Sequence, residues 1–311
     1  MKYVLYTSHR NPDDFRPGVL CNDKIVDLEF LFDRFEIKPA RYMSLRHLIE
    51  EGQSALSAVL VESEIEKLVP DSEFISLDQI TLKAPLFNTK KLILLAGNYS
   101  EHIREVGYKV PPSPQSISPQ FFSKPPSTTI LDPNANIPLP DNAIWFDWEV
   151  ELAVVMGVGG KNIKEDQAMD HVCGYTILND ISERKFNTEM PERFIREKDP
   201  LFDWLHGKWF DGSAPMGPYL VTKELIPDPH NLNISLERNG IVEQEGSTAD
   251  MIHKIPYLIH KLSQIMTIEP GDVISTGTLS GVGYSKGIKL QSGDELICKI
   301  EKIGELRNVV L

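Results

Sequence analysis

Apolar residues in this chain fall into short runs of two kinds, and their spacing predicts a mainly β fold with few helices. Runs of four to eight apolar or alternating residues, bounded by turn formers, mark strands. Early in the chain such runs cover residues 2–7, 19–21 and 24–27, broken by Asn-Pro, Pro-Gly and Asn-Asp pairs. Residues 44–51 and 54–68 instead carry apolar positions at helical spacing, with Ser44 and Ser54 as N-caps. Ala84-Pro85 closes this block. The pattern predicts a small α+β N-terminal domain over 1–84 and a larger, mainly β domain over 85–311. In the latter, strands are expected at 92–96, 150–156, 175–178, 218–222, 233–237, 273–275 and 295–300, with one helix near 249–264. Residues 111–140, rich in Pro, Ser and Asn, read as a long ordered loop, and 186–206 is unusually charged and aromatic.

Composition narrows the function classes. With 311 residues, 41% hydrophobic and 25% charged, the chain is ordinary globular material, long enough for a substantial core. Its net charge of -13, from 32 basic and 45 acidic residues, argues against a nucleic-acid partner, which needs clustered Lys and Arg. No apolar run is long enough for a membrane span, and residues 1–10 lack the pattern of a secretory signal. Cys21, Cys173 and Cys298 form no CxxC pair and read as reduced thiols of a cytoplasmic protein.

The sharpest chemical feature is Trp148-Glu149-Val150-Glu151-Leu152-Ala153-Val154. Side chains alternate across a strand, so Glu149 and Glu151 share one face while Val150, Leu152 and Val154 take the other. Two carboxylates side by side repel, and a cation between them relieves the repulsion. On this segment alone a half-exposed strand with a polar face is the plainer account of the pair. Asp180, ending the apolar run 174–179, adds a third carboxylate at a strand end. Three such groups suit a hard cation, Mg²⁺ or Mn²⁺, with positions left for water and substrate. No His or Cys spacing suits zinc.

These segments, taken in order, resemble the fumarylacetoacetate hydrolase family over roughly residues 90–311. The resemblance rests on Gly97-Asn98-Tyr99 with His102 and Glu105, Phe122-Ser123-Lys124-Pro125, Glu149 and Glu151, and Asn179-Asp180 with Arg184. It continues through Lys208 with Phe210-Asp211-Gly212, Gln244 with Gly246-Ser247-Thr248, Pro270-Gly271-Asp272, Thr276-Gly277-Thr278 and Gly281-Val282-Gly283. It implies a mixed β-sandwich or roll, a homodimer, and Mg²⁺ or Mn²⁺ at Glu149, Glu151 and Asp180. It also implies a small anionic 2-oxo or enol acid as substrate. The chain departs from the family at Ser182-Glu183-Arg184-Lys185 and at Leu279, which puts the particular substrate in doubt.

Roles follow by position. His102 and Glu105, three apart, share a face if their turn is helical, so Glu105 can orient His102 as a general base. On spacing alone a solvated turn with an incidental pair is the plainer account, and the Gly97-Asn98-Tyr99 context that carries the resemblance favours the dyad. Lys208 is a candidate to bind a substrate carboxylate or steady an oxyanion. Arg184 is placed beside Asp180 or on a substrate carboxylate, and Gln244 and Thr278 as substrate contacts. Lys124 is a weaker candidate. The expected reaction is metal-assisted hydrolysis of a carbon–carbon bond in a 2,4-dioxo acid. Tautomerisation or decarboxylation of a related oxo acid at the same site is the nearest rival, and a non-catalytic oxo-acid-binding protein the rival from another class.

Overall fold

The computed structural model describes residues 1–37, 44–51, 62–110, 113–190 and 192–311. Among these, the strands form a 12-stranded sheet, a 5-stranded sheet and a 2-stranded ribbon. The large sheet is mostly antiparallel. Across its middle run Ala214–Thr222, Val172–Asn179, Val150–Met156, Val273–Thr278 and Leu92–Ala96, the last two parallel to each other.

Both faces of this sheet are covered, which is why its central strands read as nearly continuous apolar runs. The alternation in Val150–Met156 divides it between two cores. Val150, Leu152 and Val154 pack with Ile234, Leu236, Leu296 and Cys298 of the 5-stranded sheet and with Ile259 and Leu262 of the helix Ile255–Ile265. Ala153 and Val155 face the other way, against Leu5, Val19, Leu28, Leu31, Leu45 and Leu48 from the N-terminal segment. That segment also extends the sheet, because Lys2–Ser8 pairs with Ala214–Thr222. The boundary expected at residue 84 therefore separates stretches that share one sheet and one core.

Ser44 caps the helix Leu45–Glu50, its side chain accepting from His47 N. Of the expected helix 54–68, residues 54–61 lie outside the described residues, and Glu62–Leu68 is helical. The helix expected at 249–264 begins later, at Ile255, after a short 3-10 turn at Thr248–Asp250. Pro256 sits in its first turn, where a missing N–H costs no hydrogen bond. The 111–140 stretch is more structured than a loop, containing Gln120–Lys124, the one-turn helix Pro126–Thr129, Ile130–Leu131 and Asn136–Ile137. Gln120–Lys124 lies at a sheet edge, so it needs less apolar character than the buried strands by which the pattern was read. The helix Asp199–His206 likewise interrupts the aromatic stretch 186–206.

Candidate metal centre and catalytic dyad

Antiparallel pairing brings the three acidic residues together. Val150 lies opposite Asn179, so Glu149, just before one strand, meets Asp180, just after the next. Asp180 N donates to Glu149 O at 2.8 Å, and Asn179 Oδ1 accepts from Glu149 N at 3.0 Å. Glu151 follows two residues on, opposite Thr278. All three side chains are buried, and one carboxylate oxygen from each lies within 4.8 Å of the others.

Charged neighbours act unequally on this cluster. Burial, then Asp180 and Glu149, push the Glu151 carboxyl well above its usual range. Ser275 Oγ and Gly277 N both donate to Glu151 Oε2, at 2.5 and 3.0 Å. Burial would also raise Glu149, but Arg184 and Lys208 outweigh it and hold that carboxyl far below its usual range. Lys208 Nζ donates to Glu149 Oε2 at 2.8 Å and to Asp180 Oδ2 at 2.6 Å. Its ammonium also lies 5.3 Å from the Phe122 ring centre and 5.7 Å from that of Trp204.

His102 and Glu105 lie on the short helix Ser100–Glu105, and their contact is formed: Nδ1 is 2.7 Å from Glu105 Oε1. The other ring nitrogen, Nε2, faces the acidic cluster, 4.0 Å from Glu149 Oε1. Gly281 N and Ser285 Oγ each lie 2.8 Å from Glu105 Oε2 as donors. Burial works to raise the Glu105 carboxyl, yet the hydrogen bonds from His102, Gly281 and Ser285 hold it below its ordinary value.

Three other expected residues have partners within the fold. Arg184 is engaged by Asp147 (Nε to Oδ2, 3.0 Å) and Glu149 (Nη2 to Oε1, 2.5 Å), an ion pair with two neighbours. Gln244 is fully buried, accepting from Val150 N and donating to Thr278 Oγ1 and Leu279 O. Thr278 Oγ1 in turn donates to Val150 O at 2.8 Å. These two side chains are tied to each other and to the strand backbone, so they brace the Glu149–Glu151 segment.

Two residues carry more than the sequence reading gave them. Lys124 is buried, 2.7 Å from Asp180 Oδ1, and donates to Ile181 O, Ser213 O and Ser213 Oγ. Burial, only partly offset by Asp180, draws its ammonium down to about 8. Asp147 is fully buried and receives four donors, from Trp148, Gly283, Tyr284 and Arg184. Its signal was present, since Asp147 precedes Glu149 by two in the same extended run.

The donor set fits a hard divalent cation. Five carboxyl groups joined by these contacts (Glu105, Asp147, Glu149, Glu151, Asp180) meet three basic side chains (Lys124, Lys208, Arg184), so acidic groups outnumber basic ones. Asp180 Oδ1 is buried and is met by the Lys124 ammonium at 2.7 Å. Three buried carboxylates whose oxygens lie within 4.8 Å of one another are costly to hold together unless a cation takes them up.

Comparison with known proteins agrees in family. The family described as fumarylacetoacetate (FAA) hydrolase C-terminal matches residues 91–311. Oxaloacetate tautomerase fahd2, mitochondrial, of Xenopus laevis is 36% identical over 315 residues, covering 100% of this chain and 90% of that protein. Among solved structures, fumarylacetoacetate hydrolase from psychrophilic Exiguobacterium antarcticum is 28% identical, with TM-score 0.78 and coverage of 100% and 99% of the two chains. Maleylpyruvate hydrolase from Sphingobium sp. SYK-6, in complex with manganese (II) ion and pyruvate, is 26% identical, with TM-score 0.75 and the same coverage. The fold and site thus define an enzyme class whose relatives are named hydrolase, isomerase or tautomerase. The chain belongs to the fumarylacetoacetate hydrolase family. No helix among its described residues is long and apolar enough to cross a membrane.

Proposed function

We propose that this enzyme moves a proton at the carbon beside the carbonyl of a short 2-oxo acid, interconverting keto and enol forms of an oxaloacetate-like substrate. The observation that carries this reading is the orientation of His102: one ring nitrogen is held by Glu105 and the other faces the acidic cluster. Glu149, Glu151 and Asp180 would hold Mg²⁺ or Mn²⁺, which when bound supplies a Lewis acid for the two oxygens of a 2-oxo acid.

With its Nδ1 proton donated to Glu105, His102 presents a lone pair on Nε2. In the keto-to-enol direction that nitrogen takes the proton from carbon and delivers it to the former carbonyl oxygen, and the reverse path carries it from the enol oxygen to carbon, while Glu105 stabilises the transient imidazolium. Lys208 places positive charge where the oxyanion develops; two of its N–H groups go to Glu149 and Asp180, and we assign the third to substrate. Arg184 holds Glu149, Lys124 holds Asp180, and Ser275 with Gly277 N holds Glu151.

Hydrolysis of a carbon–carbon bond in a 2,4-dioxo acid, the reaction expected from the sequence, is the second reading. It is supported by the likeness to the manganese- and pyruvate-bound hydrolase, and it uses the same base on a water molecule. Tautomerisation ranks first because the relatives of that name are 36–37% identical over most of the chain, against 26% for the hydrolase.

A substrate panel decides between them: enol oxaloacetate, an acylpyruvate and maleylpyruvate, each with chelator-treated protein before and after Mn²⁺ or Mg²⁺. Faster turnover of enol oxaloacetate, dependent on the added cation, is expected. Faster release of pyruvate from the dioxo acids reverses the order of the two readings. His102→Ala should lower turnover by about 10²–10⁴-fold, the usual contribution of a general base, with Mn²⁺ binding retained. Turnover untouched by that change would remove the assigned base, and tight binding without turnover across the panel would leave only a binding protein.

A further inference from the structure

The Gly281-Val282-Gly283 segment lies apart from the acidic cluster, yet it touches both halves of the site. At one end Gly281 N, with Ser285 Oγ, donates to the Glu105 carboxylate that orients His102. At the other, Gly283 N donates to Asp147 Oδ1 at 2.6 Å and Tyr284 N to Asp147 Oδ2 at 3.0 Å. Trp148 Nε1 adds a bond to Gly281 O at 3.2 Å. This loop, which runs into the one-turn helix Gly283–Lys286, is thus fastened to the two residues that precede Glu149.

From Asp147 the connection returns to the cluster. Its Oδ2 also accepts from Arg184 Nε, and the same guanidinium reaches Glu149 Oε1 through Nη2. Glu149 Oε1 is in turn 4.0 Å from His102 Nε2. A closed circuit of polar contacts therefore runs from His102 through Glu105, the 281–285 loop, Asp147, Arg184 and Glu149 back to His102. Both loop glycines are needed for the close approach. A Cβ at Gly281, whose φ is +100°, would meet Glu243 O at 2.1 Å, and one at Gly283 would meet Asp147 Oδ1 at 2.8 Å and Ile288 O at 2.4 Å.

The geometry points to Asp147 as a positioning residue that holds the His102–Glu105 pair in register with Glu149 through the 281–285 loop. The inference rests on the reading of His102 as the base. Asp147 is suited to the task because it is fully buried and takes donors from two directions, so its carboxylate couples elements 136 residues apart in sequence. An asparagine there would turn an N–H toward either the loop or Arg184, both of which offer only donors. The base would then shift relative to the substrate, and displacements of about 1 Å at a catalytic group cost on the order of 10²-fold in rate.

The test is a double-mutant cycle on the metal-loaded enzyme, with enol oxaloacetate as substrate and Mn²⁺ binding followed by calorimetry. D147N is expected to lower kcat by about 10²-fold with KM and Mn²⁺ binding little changed. In an E105Q background the same substitution should cost far less, because the pair through which Asp147 acts is already impaired. Equal losses in both backgrounds, within about twofold, mark a general structural role and overturn the proposal. An unchanged kcat in D147N does the same. If D147N is recovered only unfolded, Ser285→Ala decides. Its kcat should fall about fivefold, the scale of one hydrogen bond, and Ser285→Thr should restore it; an unaffected S285A counts against the loop as the carrier. Full activity in E105Q alone would instead refute the base assignment, which separates that failure from this one.

Discussion

At the scale of single residues, the site is a problem of charge in a dry place. Glu149 and Glu151 are two apart and equally buried, yet one is pulled far down by Arg184 and Lys208 and the other driven up by burial and its acidic neighbours. That asymmetry follows from which carboxylate the cations reach, and strand periodicity alone does not contain it. The shared face of Glu149 and Glu151 and the strand-end place of Asp180 were legible, because alternation along a strand is a local property. Which groups Lys124, Asp147 and Arg184 touch was not, since their contacts join segments far apart in sequence. Glu105 offers a test at this scale. Its native carboxyl is held below the ordinary value, so it stabilises the fold above the unfolded-state pKa of about 4.3, and that contribution disappears as pH falls through the lower native value. E105Q should therefore be less stable than the parent at pH 7, and the gap should close in acid. Urea midpoints of the two proteins across that range check it; a gap that widens in acid would contradict the hydrogen-bonded carboxylate.

Elements place these residues through a few close backbone approaches. The helix Asp199–His206 ends at Gly207, where a Cβ would stand 2.1 Å from Glu183 O, and Lys208 follows immediately. Gly207 N donates to Asp203 O, and Glu183 N to Gly207 O at 2.8 Å, so the helix end is fixed against the ribbon strand Ser182–Glu183. Gly207→Ala should push the two apart. We expect a loss of about 1–3 kcal/mol in stability, typical of forced overpacking, measured by denaturant unfolding. An alanine variant as stable as the parent would show that this approach is relaxed at no cost. Sequence reading found most strands but not this helix or the edge strand Gln120–Lys124. In both places local composition is polar or mixed, and packing against distant strands decides the outcome.

The molecule as a whole responds to a cation in a predictable way. If Glu149, Glu151 and Asp180 bind Mn²⁺ only when assembled, the ion stabilises the native state by about 2.7 kcal/mol at a hundredfold excess over its Kd. For a chain of this size that amounts to a rise of a few degrees in Tm. The rise should be absent in Glu151→Gln, and an equal rise in that variant would place the ion elsewhere. The mainly β character and the family were readable from order and spacing along the chain. The merging of the N-terminal segment into the central sheet was not, because the turn residues near 84–85 look like a domain boundary whether or not the strands on either side later join.

That merging has a consequence for how the chain is made. Lys2–Ser8 finds one neighbour in Asn11–Cys21 and another in Ile80–Lys83, but its contact with the rest of the sheet waits for Ala214–Thr222. At translation speeds of about 5–20 residues per second, some 10–45 s separate the emergence of the two strands. Throughout that interval Lys2 and Tyr3 lack their partners Val221 and Leu220, and an unfilled stretch of strand edge beside apolar side chains is a surface open to pairing with other chains.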